Sequence, residues 1–276
     1  MFLILKLHFP RFNSDIFVGW VQRMPLPLAM TAVFLYVIIC AMGFPQLEIS
    51  EDSWGYWIKS PQIQILFGGV QATFQNLQQN FQDYSLARVH QVHGDKIVPA
   101  SGKLEQADAH FGSLEQALCI STADCAPVMI FDSKRNTSAA IHAGWRGVEN
   151  RIVPKTIELL KSQGSKTSDL QVFIGPHIQK KSFEVSNEVR DSLLKSTGLP
   201  DRDIENSVNL FMEKKSEEKS LVDLAQILKV QIESQDVSLE NLFCLHIDTF
   251  LDVRFHSHRR DKEKAGRQIS FITRAR

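Results

Sequence analysis

A mixed α/β domain is the fold class that this 276-residue sequence predicts, and three observations carry it. From about Ser53 onward, short apolar runs alternate with amphipathic stretches. The runs have strand length, and the amphipathic stretches repeat their apolar residues at helical spacing. The 43% hydrophobic and 22% charged fractions are those of an ordinary globular chain, large enough to bury a sizeable core.

Taken in order, ALCIST (117–122), PVMIFD (127–132) and TSAAIHA (137–143) read as three successive buried strands, with KRN (134–136) turning the chain between the last two. Val148 to Gln163 reads as a helix with Ile152, Val153, Thr156, Ile157 and Leu160 on one face. Its Pro154 is acceptable only in the first turn, where the missing N–H costs nothing. LQVFIG (170–175) is a further strand, stopped at Gly175-Pro176. Leu221 to Ser234 reads as a second amphipathic helix, and LFCLHI (242–247) as another strand. Polar segments at 162–169 and 213–220 read as surface loops, so residues 48–276 are expected to form one domain.

The first 47 residues differ. From Met24 to Leu47 no residue is charged, and Leu28 to Phe44 is almost wholly apolar. Lys6, Arg11 and Arg23 precede this segment, and Glu48, Glu51 and Asp52 follow it. Two readings stand: a signal or membrane anchor with a cytoplasmic N-terminus, or an upstream extension with translation starting at Met30 or Met42. The residues that bear on chemistry lie within 48–276.

Lys plus Arg equals Asp plus Glu at 31 each, which gives no global electrostatic case for nucleic acid or an anionic membrane surface. Four cysteines lie far apart with no CxxC pair, which argues against a disulfide framework. The residues that carry chemistry are His93 in QVHG, Cys125 in TADC and His142 in HAGWRG. One thiolate and two imidazoles make a three-ligand set that leaves a position open, unlike a closed four-ligand structural site. Two adjacent strands can deliver Cys125 and His142 to one place, and His93 must arrive on a loop. Asp124 is a candidate acceptor behind a ligand or a general base. Cys119 and Cys244 fall in apolar strands and read as core, and His90, His110, His177 and His246 as structural or solvent-facing. A basic run at His256-Ser257-His258-Arg259-Arg260-Asp261, with Arg267 and Arg146, offers guanidinium forks that can converge on one anion.

QVHGDKIV, ADAHFG, ISTADCAPVMIFD, AAIHAGWRGV, IGPHIQKKSFEV, LVDLAQILKVQI and FHSHRRDKEKAGRQISFI occur in this order over residues 60–276. This series resembles the bacterial YfiH proteins, also called peptidoglycan editing factor or the laccase-domain polyphenol oxidase family. The resemblance implies a single-domain four-layer α/β/β/α sandwich with mixed sheets, and a zinc ion on His93, Cys125 and His142. It also implies phosphorolysis of adenosine, inosine, guanosine or methylthioadenosine, together with adenosine deamination. An older copper label persists for the family, but a lone His2Cys set favours zinc. On this reading Asp124 or Glu184 moves protons; Arg146, Arg259, Arg260 and Arg267 hold phosphate; Trp145 or Phe183 stacks on the base. The partners implied are purine nucleosides and phosphate, and the implied location is cytoplasmic, with membrane attachment only if residues 24–47 are a genuine anchor.

The sequence departs from the family pattern in three places. Leu66 falls where an arginine usually precedes Gly-Gly, FQNLQQNFQD replaces an SLNLG segment, and KKSFEV (180–185) lacks the usual thiols. Two rival chemistries use the same residues. In one, Cys125 is a thiolate nucleophile and His142 its base, or a metal assists in their place, in a hydrolase or amidase acting on peptidoglycan-related substrates. In the other, the chain is a membrane-tethered binding protein with structural zinc.

Overall fold

Fifteen short strands and seven α-helices arise among residues 47–276, the part of the chain that the computed structural model describes. The readings for residues 1–46 lie outside the described residues. Among the described residues no helix is long and apolar enough to cross a membrane.

Two six-stranded sheets form the centre. The first runs β1 (Glu48–Asp52), β2 (Gly55–Lys59), β3 (Ile63–Gly68), β15 (Gln268–Arg274), β7 (Gln116–Thr122), β4 (Ser85–Arg88). The second runs β14 (Leu242–Cys244), β10 (Leu170–Ile174), β8 (Ala126–Asp132), β9 (Thr137–Ala143), β6 (Ala109–Ser113), β5 (Ile97–Pro99). Both are mixed, because β4–β7, β10–β14 and β5–β6 pair in parallel and the other pairs are antiparallel. β7 and β15 of the first sheet pack on β9 and β8 of the second. Every residue of β3 and β8 is buried, as expected for strands covered on both faces.

Helices close the two outer faces. α1 (Phe74–Asn80) lays Leu77 against Trp57, Leu66 and Phe271 of the first sheet. On the second sheet lie α2 (Trp145–Glu149), α3 (Ile152–Ser162), α4 (Asn187–Lys195), α5 (Asp201–Phe211) and α6 (Leu224–Glu233). Their apolar faces join one core with β8, β9 and β10, to which α3 gives Ile152, Val153, Ile157 and Leu160. The result is a four-layer α/β/β/α arrangement whose first helical layer is thin.

Several sequence expectations are corrected in detail. The helix expected at 148–163 is two, α2 and α3, broken at Arg151 in the left-handed region (φ 57°). The Arg151 guanidinium bonds to the Ser196 carbonyl and Ser234 Oγ, and these contacts hold the break. Pro154 does sit in the first turn of α3. The loop expected at 213–220 is the turn of a hairpin, β12 (Met212–Lys214) and β13 (Lys219–Val222), which with β11 (Glu184–Ser186) makes a third, small sheet. The next helix therefore starts at Leu224, where the Asp223 side chain accepts from the Gln226 N–H at 3.0 Å. β14 ends at Cys244, three residues before the expected limit.

Gly175 packs directly against a core ring. A Cβ there would lie 2.2 Å from Cδ1 of Phe67, whose ring is fully buried. Gly175→Ala is expected to cost about 1–3 kcal/mol by overpacking. Thermal unfolding checks this, with an expected fall of roughly 2–4 °C per kcal/mol for a domain of this size.

Candidate functional site

The site forms where the chain crosses between sheets. β7 ends at Thr122 in the first sheet and β8 starts at Ala126 in the second. Asp124, in the crossing, has φ 81°, a conformation that Asp tolerates better than most residues. Cys125 therefore stands immediately before β8. Pro127 pairs with His142 in the adjacent strand β9, so neighbouring antiparallel strands do present the two side chains together. His93 reaches them from the loop after β4, also with positive φ (59°). Such backbone strain is held in place by the surrounding contacts.

One carboxylate does most of the holding. Buried Asp108 accepts the backbone N–H groups of Val92 at 3.2 Å, His93 at 2.9 Å and Gly94 at 2.7 Å. Its Oδ1 also lies 2.7 Å from His142 Nδ1. A carboxylate can only accept, so Nδ1 carries a proton, and Nε2 is the ring nitrogen left to give up its own to a metal ion. Burial pushes the Asp108 carboxyl up, but the His142 hydrogen bond and the Gly94 N–H outweigh it and hold it below its usual value. Burial likewise pushes the Cys125 thiol up, yet the charge and hydrogen bonds of His142 and His93 lower it to about 6.

The donor atoms of His93, Cys125 and His142 lie within 4.8 Å of one another and form a group that can hold a metal ion. The His93 and His142 rings meet edge to face at 4.8 Å. Gly144 leaves space beside all three. A Cβ there would stand 3.2 Å from Cys125 Sγ, 3.5 Å from His93 and 3.6 Å from His142.

This group opens on a cavity of about 730 Å³. Arg88, Arg146, Arg259 and Arg267 line it, against a single carboxylate, Asp124. Among the described residues none of these four guanidiniums has a carboxylate partner. Arg88 lies 4.1 Å over the Phe74 ring and Arg146 4.4 Å over Trp145. Arg259 lies 5.9 Å from the Phe183 ring and donates to the Glu184 carbonyl at 2.8 Å. Arg267 donates to the carbonyls of Ala265 and Gly266. Trp145 and Phe183 supply aromatic wall.

Two expected site residues are placed elsewhere. Arg260 spends all its N–H donors on the carbonyls of Thr249, Phe250 and Phe255 and on Asp261, which fixes the chain before β15 and leaves nothing for an anion. The Glu184 carboxylate lies in the third sheet, bonded to Lys215 and Lys219, which lower it to about 2. Asp124 lines the cavity, but Thr249 Oγ1 donates to one oxygen at 2.8 Å and the Arg259 N–H to the other at 2.6 Å. It ties the C-terminal segment to the Cys125 turn.

Sequence alone does not single out Asp108 or Arg88. An acid inside the apolar ADAHFG run is a signal for Asp108, because a buried carboxylate requires partners. Leu66, at the position of the family arginine, is fully buried in the first sheet and far from polar duty. Cys119 is buried as expected, whereas Cys244 is only half-buried at the end of β14; burial pushes both thiols up to about 12.

The family model described as multi-copper polyphenol oxidoreductase laccase matches residues 69–275. A Clostridium acetobutylicum protein named purine nucleoside phosphorylase is 32% identical over 203 residues, covering 71% of this chain and 80% of that one. A Shigella flexneri protein named purine nucleoside phosphorylase YfiH is 29% identical, covering 67% and 72%. Among solved structures, YlmD from Geobacillus stearothermophilus shares the fold with a TM-score of 0.70 at 20% identity, over 84% of this chain and all of that one. YfiH from Bacillus licheniformis does so with a TM-score of 0.65 at 21% identity, over 83% and 96%. The sequence match over most of the chain and the shared four-layer fold have one consequence: the chain belongs to the YfiH family of laccase-domain proteins.

Proposed function

We propose that this protein is a zinc-dependent purine nucleoside phosphorylase, with adenosine deamination as a second activity. The observation that carries the reading is the joining of a His-Cys-His group to a cavity walled by four arginines without carboxylate partners. The relatives named purine nucleoside phosphorylase supply the substrate class. One thiolate and two imidazoles suit zinc, and among the described residues no second such group accompanies them to serve multi-copper chemistry. A metal held there supplies Lewis acidity at the cavity wall.

The chain's own residues do the rest. Arg146, Arg259 and Arg267, joined by Arg88, bind phosphate and hold it against C1′ of the ribose, which is mainly a matter of positioning. Trp145 or Phe183 stacks on the purine. Arg146→Met is expected to raise the KM for phosphate about 10–100-fold, the loss of a hydrogen bond to a charged group, while the nucleoside KM stays within a few-fold. Steady-state kinetics with each substrate varied in turn checks this.

The whole reading is tested by incubating the full chain with adenosine, inosine, guanosine and methylthioadenosine, with and without phosphate, and separating the products. Free base and ribose 1-phosphate formed only with phosphate support it, and inosine formed from adenosine without phosphate supports deamination. A second reading draws on the lowered Cys125 thiol beside His142, the arrangement of a nucleophile and its base. Rapid alkylation of Cys125 in metal-loaded protein favours that rival, and protection favours a metal ligand.

A further inference from the structure

We infer that His258 is the proton carrier for the departing purine, an inference that rests on the phosphorolysis reading above. Breaking the bond between N9 and C1′ expels a purine anion, a poor leaving group unless N7 gains a proton as the bond breaks. Few groups lining the cavity can carry that proton. Arginine does not give up its proton near neutrality. Both Asp124 oxygens are already hydrogen-bonded, and His93, Cys125 and His142 form the metal group.

His258 lines the cavity and is exposed to solvent. Its Nδ1 lies 3.2 Å from the Lys262 carbonyl, which can only accept, so Nδ1 holds a proton and Nε2 is the nitrogen free to exchange one. The backbone that carries the ring is anchored on both sides. It opens α7 (His258–Asp261), capped by Ser257, whose Oγ accepts the Arg260 N–H at 3.1 Å. The next residue, Arg259, is pinned through its N–H to Asp124, beside Cys125. At the other end Lys262 adopts φ 53°, ψ −129°, an unfavourable backbone for a lysine, and its carbonyl is the one that meets the ring. His90 also lines the cavity, but among the described residues no side-chain hydrogen bond fixes its tautomer.

In the step assigned here, imidazolium Nε2 gives its proton to N7 as the N9–C1′ electron pair leaves with the purine. A hydrogen phosphate oxygen forms the new bond to C1′. The proton still on that phosphate then returns to Nε2, leaving neutral purine, ribose 1-phosphate dianion and the starting imidazolium.

The test compares zinc-loaded, full-chain wild type and His258→Gln on inosine and on 7-methylguanosine, whose purine is already alkylated at N7 and leaves without a proton. His258→Gln is expected to lower kcat on inosine by about 10²-fold or more. On 7-methylguanosine kcat is expected to stay within about threefold. Equal losses on both substrates, or no loss on inosine, overturn the assignment. His258→Ala adds a second arm, in which added imidazole is expected to restore inosine cleavage, and no restoration counts against the role. Wild type that cleaves neither nucleoside with phosphate overturns the phosphorolysis reading, and His258 falls with it; that result is read from the wild-type arm alone.

Discussion

His93→Ala is expected to release the metal and lower kcat/KM by roughly 10³-fold, because Lewis acidity at the reacting centre is worth several kcal/mol. This ligand gives the cleanest test of the metal group. His93 is exposed, and its backbone N–H, not its ring, makes the bond to Asp108. The substitution therefore leaves the Asp108 network whole. Histidine at φ 59° already carries the Cβ clash that alanine would, so the substitution adds little backbone cost. His142→Ala removes the same metal ligand function but also strips Asp108 of a buried partner, so it damages the fold as well. Metal content by mass spectrometry and circular dichroism on the same samples separate the two effects. Alkylation gives a further readout: Cys125 is expected to become reactive in His93→Ala, while Cys119 and Cys244, with thiols pushed up by burial, stay inert.

Asp108→Asn is expected to weaken metal binding by about 10–100-fold, the usual cost of losing the carboxylate behind a ligating histidine. The asparagine keeps the shape but offers a single acceptor oxygen where three N–H groups and the His142 Nδ1–H now converge. His142 loses its fixed tautomer and the Val92–Gly94 turn loosens. A pH signature accompanies this. The Asp108 carboxyl is held below its unfolded value of 3.8, so its contribution to stability is fully present above 3.8 and is lost as pH falls through the lower folded value. The stability gap between wild type and Asp108→Asn is therefore expected to be constant near neutrality and to close in strong acid. Denaturant unfolding at a series of pH values measures it, and a gap that widens on acidification contradicts the role given to Asp108.

The clustering of His93, Cys125 and His142 was legible in the sequence because each sits beside a glycine or a strand end, where backbone can bend side chains together. The strands at 117–122, 127–132, 137–143 and 170–174 were equally legible, since burial of most of their residues writes them as largely apolar runs. What surrounds the metal group was not. Arg259 and Arg260 are neighbours of the same type, yet one faces the cavity and the other spends its donors on backbone carbonyls. Only the turn of α7 and the path of residues 249–255 decide which is which. Glu184 illustrates the same point, because its lysine partners lie in a hairpin that its polar sequence made look like a loop. Arg88 was hidden for another reason. It reaches the cavity by the parallel pairing of β4 with β7, a long-range contact that no local pattern announces.

The most direct test follows phosphate-dependent cleavage of adenosine and inosine by the full chain as zinc is stripped with a chelator and restored in steps. The account predicts that release of free base requires phosphate and rises in proportion to bound zinc, up to about one ion per chain. A folded, fully zinc-loaded protein that leaves every purine nucleoside intact in the presence of phosphate contradicts it.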